Sequence, residues 1–339
     1  MSTKETACGE SAGVSFFIGE PPPFGGPHPS IPPGPIEKRS ILLKKPIFTG
    51  SGVAIATPFT KDGVDFDTLG KLLDFQLEGG TDAIVACGTT GEASTMTPQE
   101  RTEVISFCVD HVKGRVPVIA GSGSNSTSVA VTLSREAEKA GADGLLLVTP
   151  YYNKATQTGL IRHYQTIADA VSLPCVLYNV PSRTGVSITP ETYAELGKHP
   201  NIIGTKEASG NLGNIQRTRN LCLEDFYIWS GNDDETVPIC ALGGVGVISV
   251  AANVLPAEMH TLARLCMDND FAEAGKLQLY LKDFCDAMFC EVNPIPVKTA
   301  LNLLGWEMGD LRLPLCPPSD ANLARIRETL VKYALLPAE

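Results

Sequence analysis

DAIVACGTTGEASTMTPQERTEVISFCVDHV, residues 82–112, holds an apolar run, a glycine-flanked turn and a capped helix in one unit. The run is apolar on both faces, as a parallel strand is when helices cover it on each side. The helix is marked at its start. Thr97 reads as the N-cap, Pro98 as the first helical residue, and Glu100 completes a capping box. The stretch therefore predicts a strand followed by a helix, and the fold depends on whether that unit repeats.

It repeats through most of the chain. Comparable apolar runs are GVAIATP (52–58), VPVIAG (116–121), DGLLLVTP (143–150), LPCVLYNVP (173–181), IIGTKE (202–207), FYIWSG (226–231) and GVGVISV (244–250). They recur about every 20 to 35 residues, the length of a βα unit. Helical patterns lie between them. In TGLIRHYQTIADAV (158–171), Leu160, Ile161, Tyr164, Ile167, Ala168 and Val171 share one helical face. Eight such units predict an α/β chain folded as a closed (β/α)8 TIM barrel over residues 47–265. Residues 266–339 read as a C-terminal helical extension. A doubly wound open sheet is the competing fold, but ATPFTKDG after the first run lacks a phosphate-binding glycine loop.

Residues 1–46 differ from the rest. GEPPPFGGPHPSIPPGP is rich in Pro and Gly and has little apolar surface to bury, so this arm is expected to be disordered. VSFFI is too short, and the start too acidic, for a secretory signal. The chain of 339 residues has a net charge of −11, which argues against nucleic acid or an anionic membrane as partner. No apolar run approaches the length of a membrane span. The ten cysteines are scattered without a C-x-x-C pair and read as buried reduced thiols, which favours a cytoplasmic location. The five histidines show no metal-ligand spacing, so no metal site is expected.

Catalytic residues of such barrels gather at the C-terminal ends of the strands. CGTTGEAS, TPYYN, YNVPSRTG, TKEAS and SGNDD all fall there, and Lys206 stands among them. Lysine is rarely buried without a partner. Adjacent strand residues point to opposite faces, so Glu207 is not expected to be that partner. An amine desolvated in a barrel mouth loses its proton more readily than at its ordinary pKa of about 10.4, and becomes a nucleophile.

Five segments in order carry a resemblance: GTTGE (88–92), YNVPSRTG (178–185), GTKEASG (204–210), GGVGVISV (243–250) and NPIPVK (293–298). From about residue 47 onward the chain resembles the pyruvate-dependent class I aldolases, the group that includes N-acetylneuraminate lyase, and among them the dihydrodipicolinate synthase family. The resemblance implies a lyase of the diaminopimelate route to lysine. Such an enzyme condenses pyruvate with L-aspartate 4-semialdehyde through a Schiff base on Lys206, without metal or organic cofactor. It further implies that Tyr178 stands beside the Schiff base and relays protons through Thr90 to Tyr152. Tyr152 would be inserted from a neighbouring subunit of a homotetramer built as a dimer of dimers. Thr89 and Thr90 would hold the pyruvate carboxylate, with backbone contacts from Gly231 and Ile248. Arg183 would bind the carboxylate of the semialdehyde, for which a planar guanidinium is well suited.

Two other functions compete. One is a related aldolase acting on a 2-keto-3-deoxy sugar acid or 4-hydroxy-2-oxoglutarate, against which Arg183 weighs. The other is a catalytically inactive barrel with a regulatory role, against which Lys206, Tyr178, Thr90 and Tyr152 weigh. In the regulated relatives, lysine binds through two histidines, an asparagine, a glutamate and a tyrosine. This chain has Asn125 and Tyr151 at the matching positions, but Pro98 and Arg101 for the histidines and Val129 for the glutamate. Weak or absent lysine feedback is expected.

Overall fold

A computed structural model of the protein describes residues 43–337. Among these residues, eight parallel strands close a barrel in the order β1-β10-β9-β8-β7-β6-β5-β4. They are β1 (Gly50–Ala54), β4 (Ala83–Ala86), β5 (Val118–Gly121), β6 (Gly144–Val148), β7 (Cys175–Asn179), β8 (Ile202–Glu207), β9 (Tyr227–Ser230) and β10 (Gly246–Ser249). All eight expected runs form these strands. A short antiparallel hairpin, β2 (Phe59–Thr60) and β3 (Gly63–Val64), was not foreseen and fills the segment after β1.

Alternation along each strand builds two apolar layers. Ala54, Val85, Ile119, Leu146, Val176 and Ile248 belong to an inner cluster that fills the lumen. Their neighbours Val53, Ile84, Ala120, Leu147, Leu177 and Val247 belong to the layer shared with the surrounding helices. This double burial is why the runs lack an alternating polar pattern. Phe48 stacks on Trp229 with ring centroids 5.4 Å apart and fills the lumen from the N-terminal side.

The helices follow the strands. They are α1 (Phe66–Glu78), α2 (Pro98–Val112), α3 (Thr127–Lys139), α4 (Gln157–Ala168), the single turn α5 (Pro181–Thr184), α6 (Pro190–Leu196), α7 (Leu212–Leu221), α8 (Thr236–Ala241) and α9 (Pro256–Met267). The capping box of α2 is formed. Glu100 N donates to Thr97 Oγ1 at 3.2 Å, and Thr97 N donates to Glu100 Oε2 at 2.8 Å. In α4, Leu160, Tyr164, Ile167 and Ala168 are buried as the periodicity predicts, together with His163. The C-terminal extension is α10 (Phe271–Met288), α11 (Ile295–Leu303) and α12 (Asp320–Lys332).

Residues 1–42 of the expected arm lie outside the described residues. Leu43 onward is held on the barrel: Lys44 N donates to Asp225 Oδ2 at 3.1 Å, and Tyr227 Oη donates to Lys44 O at 2.8 Å. The last residues read as arm are thus part of the folded unit. No helix among the described residues is long and apolar enough to cross a membrane. The described cysteines are all free.

Candidate active site

Lys206 lies near the C-terminal end of β8 with its side chain in the lumen, 4% exposed. The strand register explains how it gets there. Cys175 pairs with Ile202 but Val176 pairs with Gly204, so β8 carries one extra residue at Ile203. A bulge of this kind re-aims the side chains that follow it. Ile203 belongs to the lumen cluster, and strict alternation from it would turn Lys206 outward. The bulge instead places Lys206 beside Tyr178, its register partner on β7. Lys206 Nζ sits 4.6 Å from the centroid of the Tyr178 ring.

Glu207 points the other way, as the alternation predicts. Its carboxylate accepts from Asn179 Nδ2 (3.0 Å), Tyr193 Oη (3.0 Å) and Ser209 N (2.9 Å) behind the barrel wall. Lys206 is therefore free of its sequence neighbour. Burial pulls its ammonium down to about 8; the buried Asp233 carboxylate opposes that shift and the Arg183 guanidinium reinforces it. The amine is thus partly neutral near physiological pH.

Lys206 lines a cavity of about 160 Å³ with Thr89, Thr90, Tyr178, Arg183 and Gly231. A second cavity of about 330 Å³ shares Thr89, Tyr178 and Arg183 and runs on to Arg101 and Tyr151. The smaller one holds the nucleophile and is the candidate site. A side chain at position 231 would place its Cβ 2.8 Å from Ala208 Cβ and 3.1 Å from Lys206 Cε, so glycine there preserves the space around the amine.

The two threonines sit in different surroundings. Thr89 lines both cavities together with Tyr178, and its side chain partly offsets the burial that raises the Tyr178 phenol. Thr90, 1% exposed, turns away and accepts from Asn293 Nδ2 at 3.0 Å. Thr90, expected on the proton path, thus has its hydroxyl engaged by Asn293. Burial holds the Tyr178 phenol above its ordinary value, so it stays protonated at neutral pH and can both donate and accept. Tyr152 is not at this site in the single chain. It is 90% exposed on a backbone with φ of +73°, a left-handed turn that carries the ring outward. Ile248 is fully buried in the lumen cluster on β10, apart from the residues lining the cavity.

Four residues around the site are not singled out by the sequence. Asn293 joins the site by accepting from Arg183 Nη2 through its carbonyl at 3.2 Å while donating to Thr90. Glu92 and Lys298, the last residues of GTTGE and NPIPVK, form a buried ion pair at 2.7 Å. Lys298 also donates to Asp310 O, and Glu92 accepts from Arg312 N. These two motifs are therefore fastened to each other beneath the site. Asp233 is 2% exposed, and its Oδ2 accepts from Val250 N at 3.1 Å and Ala251 N at 3.0 Å. SGNDD falls on the catalytic rim, but nothing in that segment by itself singles out one aspartate.

Comparison with known proteins places the whole barrel and its C-terminal extension in one family. The model of the dihydrodipicolinate synthetase family matches residues 47–333. The chain is 52% identical to a 4-hydroxy-tetrahydrodipicolinate synthase of a Thermoanaerobacter species, over 86% of this chain and 98% of that protein. A crystal structure of dihydrodipicolinate synthase from Aquifex aeolicus superposes with a TM-score of 0.84 at 46% identity, covering 85% of this chain and 99% of the other. The dihydrodipicolinate synthase of Cyanidioschyzon merolae, solved with lysine bound, superposes with a TM-score of 0.83 at 40% identity, covering 86% and 100%. The family match over residues 47–333, with a relative 52% identical along 98% of its own length, shows that the chain belongs to the dihydrodipicolinate synthetase family.

Proposed function

We propose that this protein is a 4-hydroxy-tetrahydrodipicolinate synthase, condensing pyruvate with L-aspartate 4-semialdehyde in lysine biosynthesis. The observation that carries the reading is Lys206: enclosed, lowered to about 8, and turned into the cavity beside Tyr178. Its neutral amine adds to the pyruvate ketone. With one proton taken up and one water lost, a protonated imine remains. That cation accepts the electron pair left when a methyl proton departs, giving an enamine. The enamine carbon attacks the aldehyde of the second substrate. The semialdehyde amine then closes the ring onto the former ketone carbon and releases Lys206.

The surrounding residues take roles that fit their positions. The Thr89–Thr90 turn offers hydroxyls and backbone N–H groups to the pyruvate carboxylate without adding a full charge beside the amine. Tyr178 and Thr89 form the start of a proton path. Arg183 faces both cavities and is the cation available to the second carboxylate. The exposure of Tyr152 supports an assembly, a dimer of dimers, in which a second copy supplies that ring. A cytoplasmic location belongs to the same reading.

The test is reductive trapping. Borohydride added with pyruvate should leave one stable adduct on Lys206, found by peptide mass mapping, and Lys206→Ala should abolish it. The initial trapping rate should rise as pH passes through about 8, where the amine loses its proton. An adduct on another lysine, or none, would refute the assignment.

A further inference from the structure

Of the residues lining the cavity around Lys206, Ser182, Arg183 and Phe289 are exposed to solvent. They form its rim, and a second substrate passes them to reach the amine. Ser182 and Arg183 belong to α5, after β7. Phe289 caps the C-terminal end of α10, where its N–H donates to Asp286 O at 3.3 Å. The two sides are tied together, because Arg183 Nη2 donates at 3.2 Å to the carbonyl of Asn293, four residues beyond Phe289.

Phe289 is poorly placed for a role in the core. It is 44% exposed, whereas Phe284 on the same helix is fully buried and packs edge-on against Tyr333. Phe289 also borders two cavities: that of Lys206, and another of about 140 Å³ that it lines with Asn232, Asp234 and Cys285. An apolar side chain beside empty space gains dispersion contacts only when a ligand fills that space. The polar groups near it are already engaged. Asn232, which lines both cavities, directs its amide nitrogen to Glu235 Oε2 at 2.8 Å, and Asn293 directs its own to Thr90 Oγ1 at 3.0 Å.

We propose that Phe289 is a specificity-determining residue that packs on the methylene of a short acceptor aldehyde and turns away polyhydroxylated aldehydes. The proposal rests on the synthase reading above and names how that site chooses its second substrate. In the semialdehyde, a methylene stands between the aldehyde carbon, which the enamine attacks, and the carbon bearing the amine and the carboxylate held by Arg183. Set against a phenyl ring, that methylene gives up no hydrogen bond. A sugar-like aldehyde such as glyceraldehyde carries a hydroxyl on the carbon next to its aldehyde. Against Phe289 that hydroxyl would leave water without a partner. An apolar contact of this kind discriminates by about 10- to 200-fold.

The test uses the full-length protein and three variants. Phe289→Ser and Phe289→Ala remove the ring, and Phe289→Leu keeps an apolar side chain. Three quantities are read: borohydride trapping of pyruvate on Lys206, kcat and KM for the semialdehyde, and formation of the aldol product from pyruvate and glyceraldehyde by NMR. In Phe289→Ser, trapping should persist while kcat/KM for the semialdehyde falls about tenfold or more. The glyceraldehyde-to-semialdehyde ratio of kcat/KM should rise about tenfold or more. Phe289→Leu should restore most of the wild-type ratio. A purely structural residue would lower trapping and the use of both aldehydes together and leave the ratio unmoved. An unchanged ratio in Phe289→Ser, no glyceraldehyde product from it, or a leucine variant no more selective than the serine one overturns the proposal. Phe289→Ala is read by the same criteria, so that misfolding of one variant does not decide the outcome; loss of trapping in both makes Phe289 structural and overturns the proposal. A wild-type protein that traps pyruvate but does not turn over the semialdehyde overturns the synthase reading and this proposal with it. Normal wild-type turnover with an unmoved ratio in the variants overturns this proposal alone.

Discussion

A lysine that attacks a ketone must first lose its proton, and enclosure in the lumen is what makes Lys206 lose it. Arg183 adds to that effect from the mouth of the site. Arg183→Ala should therefore have two consequences. Use of the semialdehyde should fall about 10- to 100-fold in kcat/KM, the effect of losing a charge-assisted contact worth roughly 1.5–3 kcal/mol. Pyruvate trapping should survive, with its pH midpoint moved upward because a repelling cation has gone. Steady-state kinetics and trapping across pH check both. Normal turnover of the semialdehyde by this variant would remove Arg183 from the substrate site.

Among the elements, β8 and α2 show how local structure serves the site. The extra residue in β8 turns Lys206 inward and sends Thr205 and Glu207 to Tyr193 behind the wall. At α2 the cap is reinforced from far away in the chain: Glu100 accepts from both terminal nitrogens of Arg312 while holding Thr97 N. The Arg312 hydrogen bonds, aided by Thr97, depress the Glu100 carboxyl to about 2. A carboxyl depressed in the folded state stabilises the protein above its unfolded value, here 4.5, and that contribution fades as pH falls toward about 2. Arg312→Ala should lower the melting temperature at pH 7, and the difference from wild type should shrink between pH 4.5 and about 2. A gap in Tm that is constant across this range would show that Arg312 acts through packing alone, for instance against the Phe59 ring.

Taken whole, the molecule braces its site from the C-terminal extension. Lys298 of α11 pairs with Glu92 below the threonine turn, and Asn293 links Thr90 to Arg183. Breaking one side of such a buried pair strands a charge, which is why both motifs end as they do. The larger cavity bears on feedback. Arg101 lines it and donates to Gly121 O at 2.7 Å, while Val129 is 47% exposed and offers no oxygen. A lysine ammonium leaving water needs a carboxylate or several acceptors. This chain should keep its activity at millimolar L-lysine in an initial-rate assay at saturating pyruvate. Half-inhibition below about 1 mM, more than roughly 4 kcal/mol of binding, would show that other residues form a lysine site.

The sequence by itself determined the barrel, because eight doubly buried strands must each write an apolar run and each helix must be started by a cap. Thr97, Pro98 and Glu100 were legible for that reason. It also pointed to Lys206, since an ionisable residue ending an apolar strand stands out against its surroundings. Which face Lys206 occupies was decided by the register of β7 against β8, because a bulge is a relation between two strands and leaves no mark in either alone. The engagement of the Thr90 hydroxyl likewise depends on Asn293, about two hundred residues away. Asp233 is oriented by the backbone N–H groups of Val250 and Ala251, which follow another strand. These features arise from long-range pairing, so only the closed barrel could fix them.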